Sequence, residues 1–230
     1  EGFARAGAKV YIASRKKAEL DARIAELGDG GDCTALVADL SSEAGCNALG
    51  DQLEELESSL DILVNNAGAN WGAPYEEFPA SGWDRVLDVN GKGVFQLTRR
   101  LPPMLERAAS AEDPSRVINI GSIDGIGVPA LETYSYSASK AAVHHLTCVL
   151  AKKLAKKKIT VNAVAPGPFQ SRMMKATLES VGDAIADMVP LRRIGSPEDM
   201  AGVAMFLASR AGAYLTATVI PVDGGISGTR

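Results

Sequence analysis

Tyr136 and Lys140 stand four residues apart, and in a helix that spacing sets two side chains on one face. A phenol has an ordinary pKa of about 10, so it needs help to move a proton at neutral pH. A nearby ammonium favours the phenolate and lowers that value, which is what Lys140 can supply. Upstream, a β-branched run ends in Gly121 and Ser122. The Ser122 hydroxyl can hold a substrate oxygen while Tyr136 gives or takes the proton. Tyr134 is a second candidate phenol, but Tyr136 is the one that precedes a lysine by four. Taken alone the pair is a weak signal, and an exposed helical Tyr and Lys with no role is the plain alternative. The elements around the pair decide between the two.

Short β-branched runs alternate with longer helical patterns from end to end, the signature of βαβ units around a parallel sheet. Strands are expected over 8–13, 33–38, 60–64, 116–120, 159–165 and 218–222. Residues 16–27 carry Leu20, Ile24 and Leu27 at helical spacing, and a second helix carries Leu49, Leu53 and Leu56 on one face. A long helical region is expected over 82–109, kinked by Pro102 and Pro103. Further helices are expected over 135–155 and over 197–209, the latter with Pro197 in its first turn. Residues 170–195 read as an excursion that forms a lid, with Met173, Met174, Leu178 and Met188 available to line it. No repeat, linker or low-complexity tract divides the chain, so residues 1–230 are assigned to one domain. The fold class is α/β: a doubly wound, Rossmann-like, mostly parallel sheet with helices on both faces. Ligands bind such sheets at the carboxyl ends of the strands, where Ser122 falls.

The motifs at those strand ends resemble those of the short-chain dehydrogenase/reductase family, and the similarity covers the whole chain. Asn65-Asn66-Ala67-Gly68, Asn90, Ser122 with Tyr136 and Lys140, Pro166-Gly167, the run Arg193 to Glu198, and Val222-Asp223-Gly224-Gly225 each match a family landmark in order. The resemblance implies hydride transfer between a nicotinamide cofactor and a carbonyl or alcohol, with Asn90, Ser122, Tyr136 and Lys140 as the catalytic set. It implies that Asn90 supports a water relay to Lys140, that Lys140 also binds the nicotinamide ribose, and that Asp39 sits near the adenine. Cofactor contacts are expected from Ser14, Arg15, Asp39, Leu40, Asn66, Ala67, Gly68, Tyr136, Lys140, Pro166, Gly167, Phe169 and Ser171. Three positions depart from the family pattern: Ser171 for Thr, Phe169 for Val or Ile, which crowds the nicotinamide edge, and Ala217 for Gly. The whole chain, including the stretches 81–90 and 121–136, looks most like the 3-oxoacyl-thioester (acyl carrier protein) reductase branch. That implies an acyl-thioester substrate and acyl carrier protein as a partner, with Arg172 beside the lid as a candidate contact. A steroid, sugar or xenobiotic ketone is the alternative substrate, and a binding protein that lost catalysis is the rival from another class.

Cofactor choice is read at the end of the strand over 8–13, the second strand by the family's count, where an acidic residue would select NAD and arginine accommodates the 2′-phosphate of NADP. Here Ser14 is followed by Arg15, Lys16 and Lys17. A solvated helix start would explain exposed charge, but helix N-termini favour acidic residues. NADP(H) is therefore expected.

The composition excludes several other classes. With 46 % hydrophobic and 23 % charged residues and a net charge of −4, nothing recommends nucleic acid as a partner. No apolar run approaches the roughly 20 residues of a membrane span. Cys33, Cys46 and Cys148 are odd in number and widely spaced, which suits reduced thiols and a cytoplasmic setting. His144 and His145 point in different directions on a helix, so packing or an interface is favoured over metal. Lys152, Lys153, Lys156, Lys157 and Lys158 suit a helix C-terminus. Phe95, Leu97, Leu101, Ala142, Leu146, Val149 and Leu150 exceed what one sheet face needs, so a homo-oligomer, dimer or tetramer, is expected.

One family landmark is not found: the Thr-Gly-x-x-x-Gly-x-Gly phosphate loop after the central strand. Gly28 to Gly31 follow a helix and cannot serve. The expectation is that roughly 25–30 further residues upstream carry that strand and loop. Without them, the strands over 8–13 and 60–64 would lie roughly 10 Å apart, with unpaired backbone groups costing ~1–3 kcal/mol each.

Overall fold

The computed structural model describes residues 1–171 and 174–229, so the expectations placed on Arg172 and Met173 lie outside the described residues. In chain order the elements are α1 (Gly2–Arg5), β1 (Val10–Ser14), α2 (Lys17–Leu27), β2 (Cys33–Val37), α3 (Glu43–Leu56) and β3 (Ile62–Asn65). They continue with α4 (Ala80–Leu87), α5 (Val94–Arg100), α6 (Pro102–Ala108), β4 (Ser115–Ile120) and α7 (Tyr134–Leu154). The last are β5 (Ile159–Pro166), α8 (Lys175–Met188), α9 (Pro197–Ala208) and β6 (Val219–Val222).

Local chemistry explains several boundaries. Ser42 caps α3 by accepting the Gly45 N–H at 3.1 Å. Ser196 and Asp199 form a reciprocal capping box at α9, with Pro197 in its first turn. The long helix expected over 82–109 is instead broken into α4, α5 and α6. Pro102 has no N–H and starts α6 afresh. Between α4 and α5 lies a wide π-type turn, Asp88–Gly93, which carries Asn90. On α3 the buried stripe is Cys46, Leu49 and Leu53, whereas Leu56 at the last turn is 50 % exposed. Its period fits the face, but the helix outruns the core there.

All strand pairings are parallel. β3, β4, β5 and β6 form one sheet in that order, and β1 pairs with β2 in another. β1 and β3 do not pair with each other, so each has one edge facing the cleft between the sheets. β4 and β5 are buried along almost their whole length, polar members included, because both their faces are covered. Val117 packs with Leu53, Leu97, Leu105 and Leu154 on the face of α3, α5, α6 and α7. Its neighbour Ile118 packs with Val164 and Leu207 on the α9 face.

A buried polar chain crosses this core. Asn65 and Asn119 are register partners on β3 and β4. Asn65 Nδ2 donates to Asn119 Oδ1 at 2.8 Å and to Thr98 Oγ1 at 3.0 Å. Asn119 Nδ2 donates to Thr147 Oγ1 at 2.9 Å, and Thr147 donates to the Val143 carbonyl at 2.8 Å. Two strands, α5 and α7 are thereby tied at one level. Removing the middle member leaves buried partners unmatched. Asn119→Ala should lower the unfolding free energy by about 2–4 kcal/mol in urea titration; a loss indistinguishable from zero would show that the chain holds nothing.

Candidate active site

β4 delivers the first functional group. Past Ile120, the Gly121 N–H donates to the Val164 carbonyl at 2.7 Å, which anchors the strand end to β5. Ser122 follows, buried, and its Oγ accepts the Asp124 N–H at 3.1 Å at the start of a short turn, Ile123–Gly125. α7 delivers the next two. Lys140 is only 5 % exposed and its Nζ donates to the Ile120 carbonyl at 2.7 Å. The same ammonium lies 5.4 Å from the centroid of the Tyr136 ring. Ser122, Tyr136 and Lys140, expected from sequence to act together, are thus brought to one place.

Their electrostatics correct one expectation. Burial pushes the Lys140 pKa down to about 8. The same burial raises that of Tyr136, outweighing the pull of the Ser122 hydroxyl, and the nearby Asp124 carboxylate adds to the rise. The net shift of Tyr136 is therefore upward, set by burial, in place of the lowering expected from Lys140. A low-dielectric site disfavours both charged forms, and the ammonium is directed at a backbone carbonyl rather than the phenol oxygen.

Asn90, 1 % exposed, stands behind these groups. Its Nδ2 donates to the Ala69 carbonyl at 3.0 Å and to Ser139 Oγ at 2.9 Å, and its Oδ1 accepts the Ala69 N–H at 2.8 Å. The side chain thus clamps the segment after β3 to α7, and no hydrogen bond joins it directly to Lys140 among the described residues. Gly68 lies beside both groups with room for a methyl group. A Cβ there would lie 3.7 Å from Asn90 Oδ1 and 4.0 Å from Lys140 Nζ.

A cavity of about 2000 Å³ opens at the carboxyl ends of the strands. Ser14 and Arg15 line it from β1, Asp39 and Leu40 from beyond β2, and Asn66, Ala67 and Gly68 from beyond β3. Ser122, Tyr136 and Lys140 line it, as do Pro166, Gly167, Phe169 and Ser171 from beyond β5. Every expected cofactor residue is on its wall. The cavity continues into the cleft between β1 and β3, past Ile12, Ile62 and Val64.

The cations after β1 separate into two kinds. Lys16 pairs with Glu19 at 2.9 Å and Lys17 with Asp21 at 2.7 Å, so both belong to the solvated start of α2. Arg15 has its nearest carboxylate, Asp39, at 3.9 Å. Asp39 itself accepts from the N–H and hydroxyl of Ser41, which hold its pKa below the usual carboxylate range. A dinucleotide phosphate fits this donor set: Arg15 is exposed at the cavity wall with only a loose partner. At the other end Lys140 has N–H groups left over after its bond to Ile120, which suits ribose hydroxyls.

The Phe169 ring packs over Gly195, where a Cβ would lie 2.6 Å from it. In the 170–195 excursion, Met174, Ile185 and Met188 line the cavity, but Leu178 faces a separate pocket beside Arg23. Ala217 adopts φ 62°, the left-handed conformation that glycine takes readily. Sequence reasoning missed Ser139 and Asn70, whose Oδ1 is buried without a partner. It also missed Asp124 as a site residue, although its place two residues after Ser122 was a usable signal.

Comparison with known proteins agrees with this geometry. The family described as enoyl-(acyl carrier protein) reductase matches residues 1–227. The chain belongs to the short-chain dehydrogenase/reductase family. Within that family, the rhamnolipids biosynthesis 3-oxoacyl-(acyl-carrier-protein) reductase of Pseudomonas aeruginosa is 48 % identical over 227 residues, covering 98 % of this chain and 89 % of the relative. The 3-oxoacyl-(acyl-carrier-protein) reductase FabG of Thermotoga maritima is 34 % identical over 225 residues, covering 97 % and 89 %. The solved Pseudomonas aeruginosa RhlG/NADP active-site complex superposes with a TM-score of 0.94 at 47 % identity, covering 98 % of this chain and 89 % of that one. No helix among the described residues is long and apolar enough to cross a membrane.

The buried Lys140 gives this short-chain reductase a pH signature. Unfolding restores the ordinary value, 10.5, from about 8. Between those two pH values the unfolded chain binds more protons, so stability rises with pH. Below pH 8 the full penalty applies, about 3 kcal/mol. Relative to Lys140→Met, the parent should therefore gain stability from pH 8 to 10.5 in denaturant titrations; parallel pH curves would refute the buried ammonium.

Proposed function

We propose that this chain reduces the ketone of a 3-oxoacyl thioester with NADP(H), using Ser122, Tyr136 and Lys140 with Asn90 behind them. The observation that carries the reading is the meeting of two hydroxyls and a buried ammonium on one wall of the cavity. The names of the two relatives and the NADP in the matched complex support it. When bound in this cavity, NADP(H) would supply the hydride that the carbonyl carbon accepts. Tyr136 gives the carbonyl oxygen its proton, and the burial that raises its pKa keeps the phenol in its donor form at pH 7. Ser122 holds the same oxygen. Lys140 binds the ribose hydroxyls, and Asn90 supports a water relay that reaches it from behind Gly68. Arg15 would pair with the 2′-phosphate, Ser14, Asp39 and Leu40 would border the adenine side, and Asn66 to Gly68 with Pro166, Gly167, Phe169 and Ser171 would wall the rest.

A sugar-like substrate is a second reading favoured by one observation. The Asp124 carboxylate lines the cavity, its pKa is raised by burial, and no hydrogen bond reaches it among the described residues. A substrate hydroxyl would satisfy it.

The same proposal makes residues 1–230 one domain, in which the facing free edges of β1 and β3 fit one further parallel strand. It places the protein in the cytoplasm, in keeping with free Cys33, Cys46 and Cys148, and takes acyl carrier protein as the substrate's carrier. It makes the protein a homo-oligomer, on narrower grounds than periodicity suggested. Leu97, Leu101 and Leu150 are buried in the chain's own core, which leaves Phe95, Ala142 and Val149 exposed for a second copy.

Tyr136→Phe should leave NADPH affinity unchanged and lower kcat for acetoacetyl-CoA by roughly 10²–10⁴-fold, with Tyr134→Phe mild. Equal turnover in Tyr136→Phe and parent would sink the assignment. Arg15→Ala should weaken NADPH binding roughly tenfold or more while NADH binding barely moves. Titration of both cofactors against both proteins decides it, and equal losses would make Arg15 merely structural.

A further inference from the structure

Tyr136, Lys140 and His144 lie at successive turns of one face of α7. The first two belong to the site already described, and the third is 9 % exposed with no role in the chemistry above. Its surroundings are specific. His144 Nε2 accepts the Ser122 N–H at 3.4 Å. The imidazole also lies against the Gly125 backbone, which favours the protonated ring, so in a neutral ring that accepts at Nε2 the Nδ1–H faces that backbone. The ring therefore bridges the first and last residues of the turn Ser122 to Gly125.

Two glycines make room for it. A Cβ on Gly121 would lie 2.2 Å from Nε2 and 2.7 Å from Cδ2, and a Cβ on Gly125 would meet the α7 backbone first, Lys140 C at 2.6 Å and Ala141 N at 2.7 Å, and then Cε1 at 2.9 Å. The turn's internal bonds close it on itself: the Gly125 N–H donates to the Ser122 carbonyl at 3.0 Å and the Asp124 N–H to Ser122 Oγ at 3.1 Å. Neither bond fixes the turn against α7. Gly125 packs against the α7 backbone at Lys140 and Ala141, and His144, from the same helix that carries Tyr136, adds the side-chain hydrogen bond to Ser122.

We propose that His144 is a positioning residue for Ser122: its imidazole, seated in the space left by Gly121 and Gly125, sets the turn so that the Ser122 hydroxyl meets the substrate oxygen opposite Tyr136. This rests on the reading of Ser122 given above. A purely apolar filler of equal size would pack the same gap but leave the Ser122 N–H without a partner. Burial, with a smaller push from the Lys140 charge, keeps the imidazole pKa below its ordinary value despite the Gly125 backbone, so the ring is the neutral acceptor this geometry requires.

The test compares His144→Leu, which fills the gap without polar atoms, with His144→Gln, which restores a donor and an acceptor. Amide hydrogen exchange needs no turnover. His144→Leu should speed exchange at Ser122 by roughly tenfold or more and leave Gly121, bonded to Val164, unchanged. With acetoacetyl-CoA, His144→Leu should lower kcat roughly ten- to a hundredfold without changing NADPH affinity, and His144→Gln should recover most of it. In a Ser122→Ala background His144→Leu should have no further effect, since the two act as one unit. Unchanged exchange at Ser122, equal acceleration at Ser122 and Gly121, or the same loss of kcat in both backgrounds would overturn the proposal. A parent without turnover would count against the reductase reading alone, and the exchange result would still decide the role of His144.

Discussion

A lysine ammonium needs acceptors wherever it is buried, and here the end of a parallel sheet supplies one. Lys140 donates to the Ile120 carbonyl at 2.7 Å, which fixes α7 in register with β4. Two turns further along, Thr147 receives the Asn119 amide from the residue before Ile120. These contacts lie on one stripe of α7, so the helix can neither slide nor roll without breaking a buried bond. Tyr136 and His144 sit on the same stripe and inherit that precision. The strand brings Ser122, the helix brings the rest, and their distances follow from one packing contact.

The same burial divides the labour between the ionisable groups. It lowers the pKa of Lys140 and raises that of Tyr136, moving each toward its neutral form. A phenol kept protonated is a proton donor, which suits reduction of a carbonyl. An amine with spare N–H groups is a hydrogen-bonding post. Asn90 completes the arrangement from behind, holding Ala69 to Ser139 and so the segment after β3 to α7.

Much of this was legible in the sequence, and the reasons are local. A strand ending in Ser122 and a Tyr–Lys pair at helical spacing are short-range patterns, and so is an arginine placed after β1. The misses are tertiary. The π-type turn at Asn90 depends on Ala69 and Ser139, far from it in sequence. Leu56 keeps the right period but lies beyond the end of the core. His144 looked like ordinary packing because its partners, Gly121 and Gly125, are recognisable only once β4 and α7 are in contact. Lys16 and Lys17 differ from Arg15 through their own helical ion pairs, a local signal that charge type alone conceals. The parallel α/β class was readable from alternation, whereas the division into two sheets is a matter of which edges meet.

The central claim is that the cavity wall bearing Ser122, Tyr136 and Lys140 is where a ketone receives hydride from NADPH. Single-turnover reaction of the parent with acetoacetyl-CoA and NADPH deuterated at the reactive C4 position tests it most directly. The account predicts deuterium at C3 of the 3-hydroxyacyl product, formed in step with NADPH oxidation. Oxidation of NADPH without deuterium at that carbon, or tight cofactor binding with no transfer to any ketone offered, would contradict it.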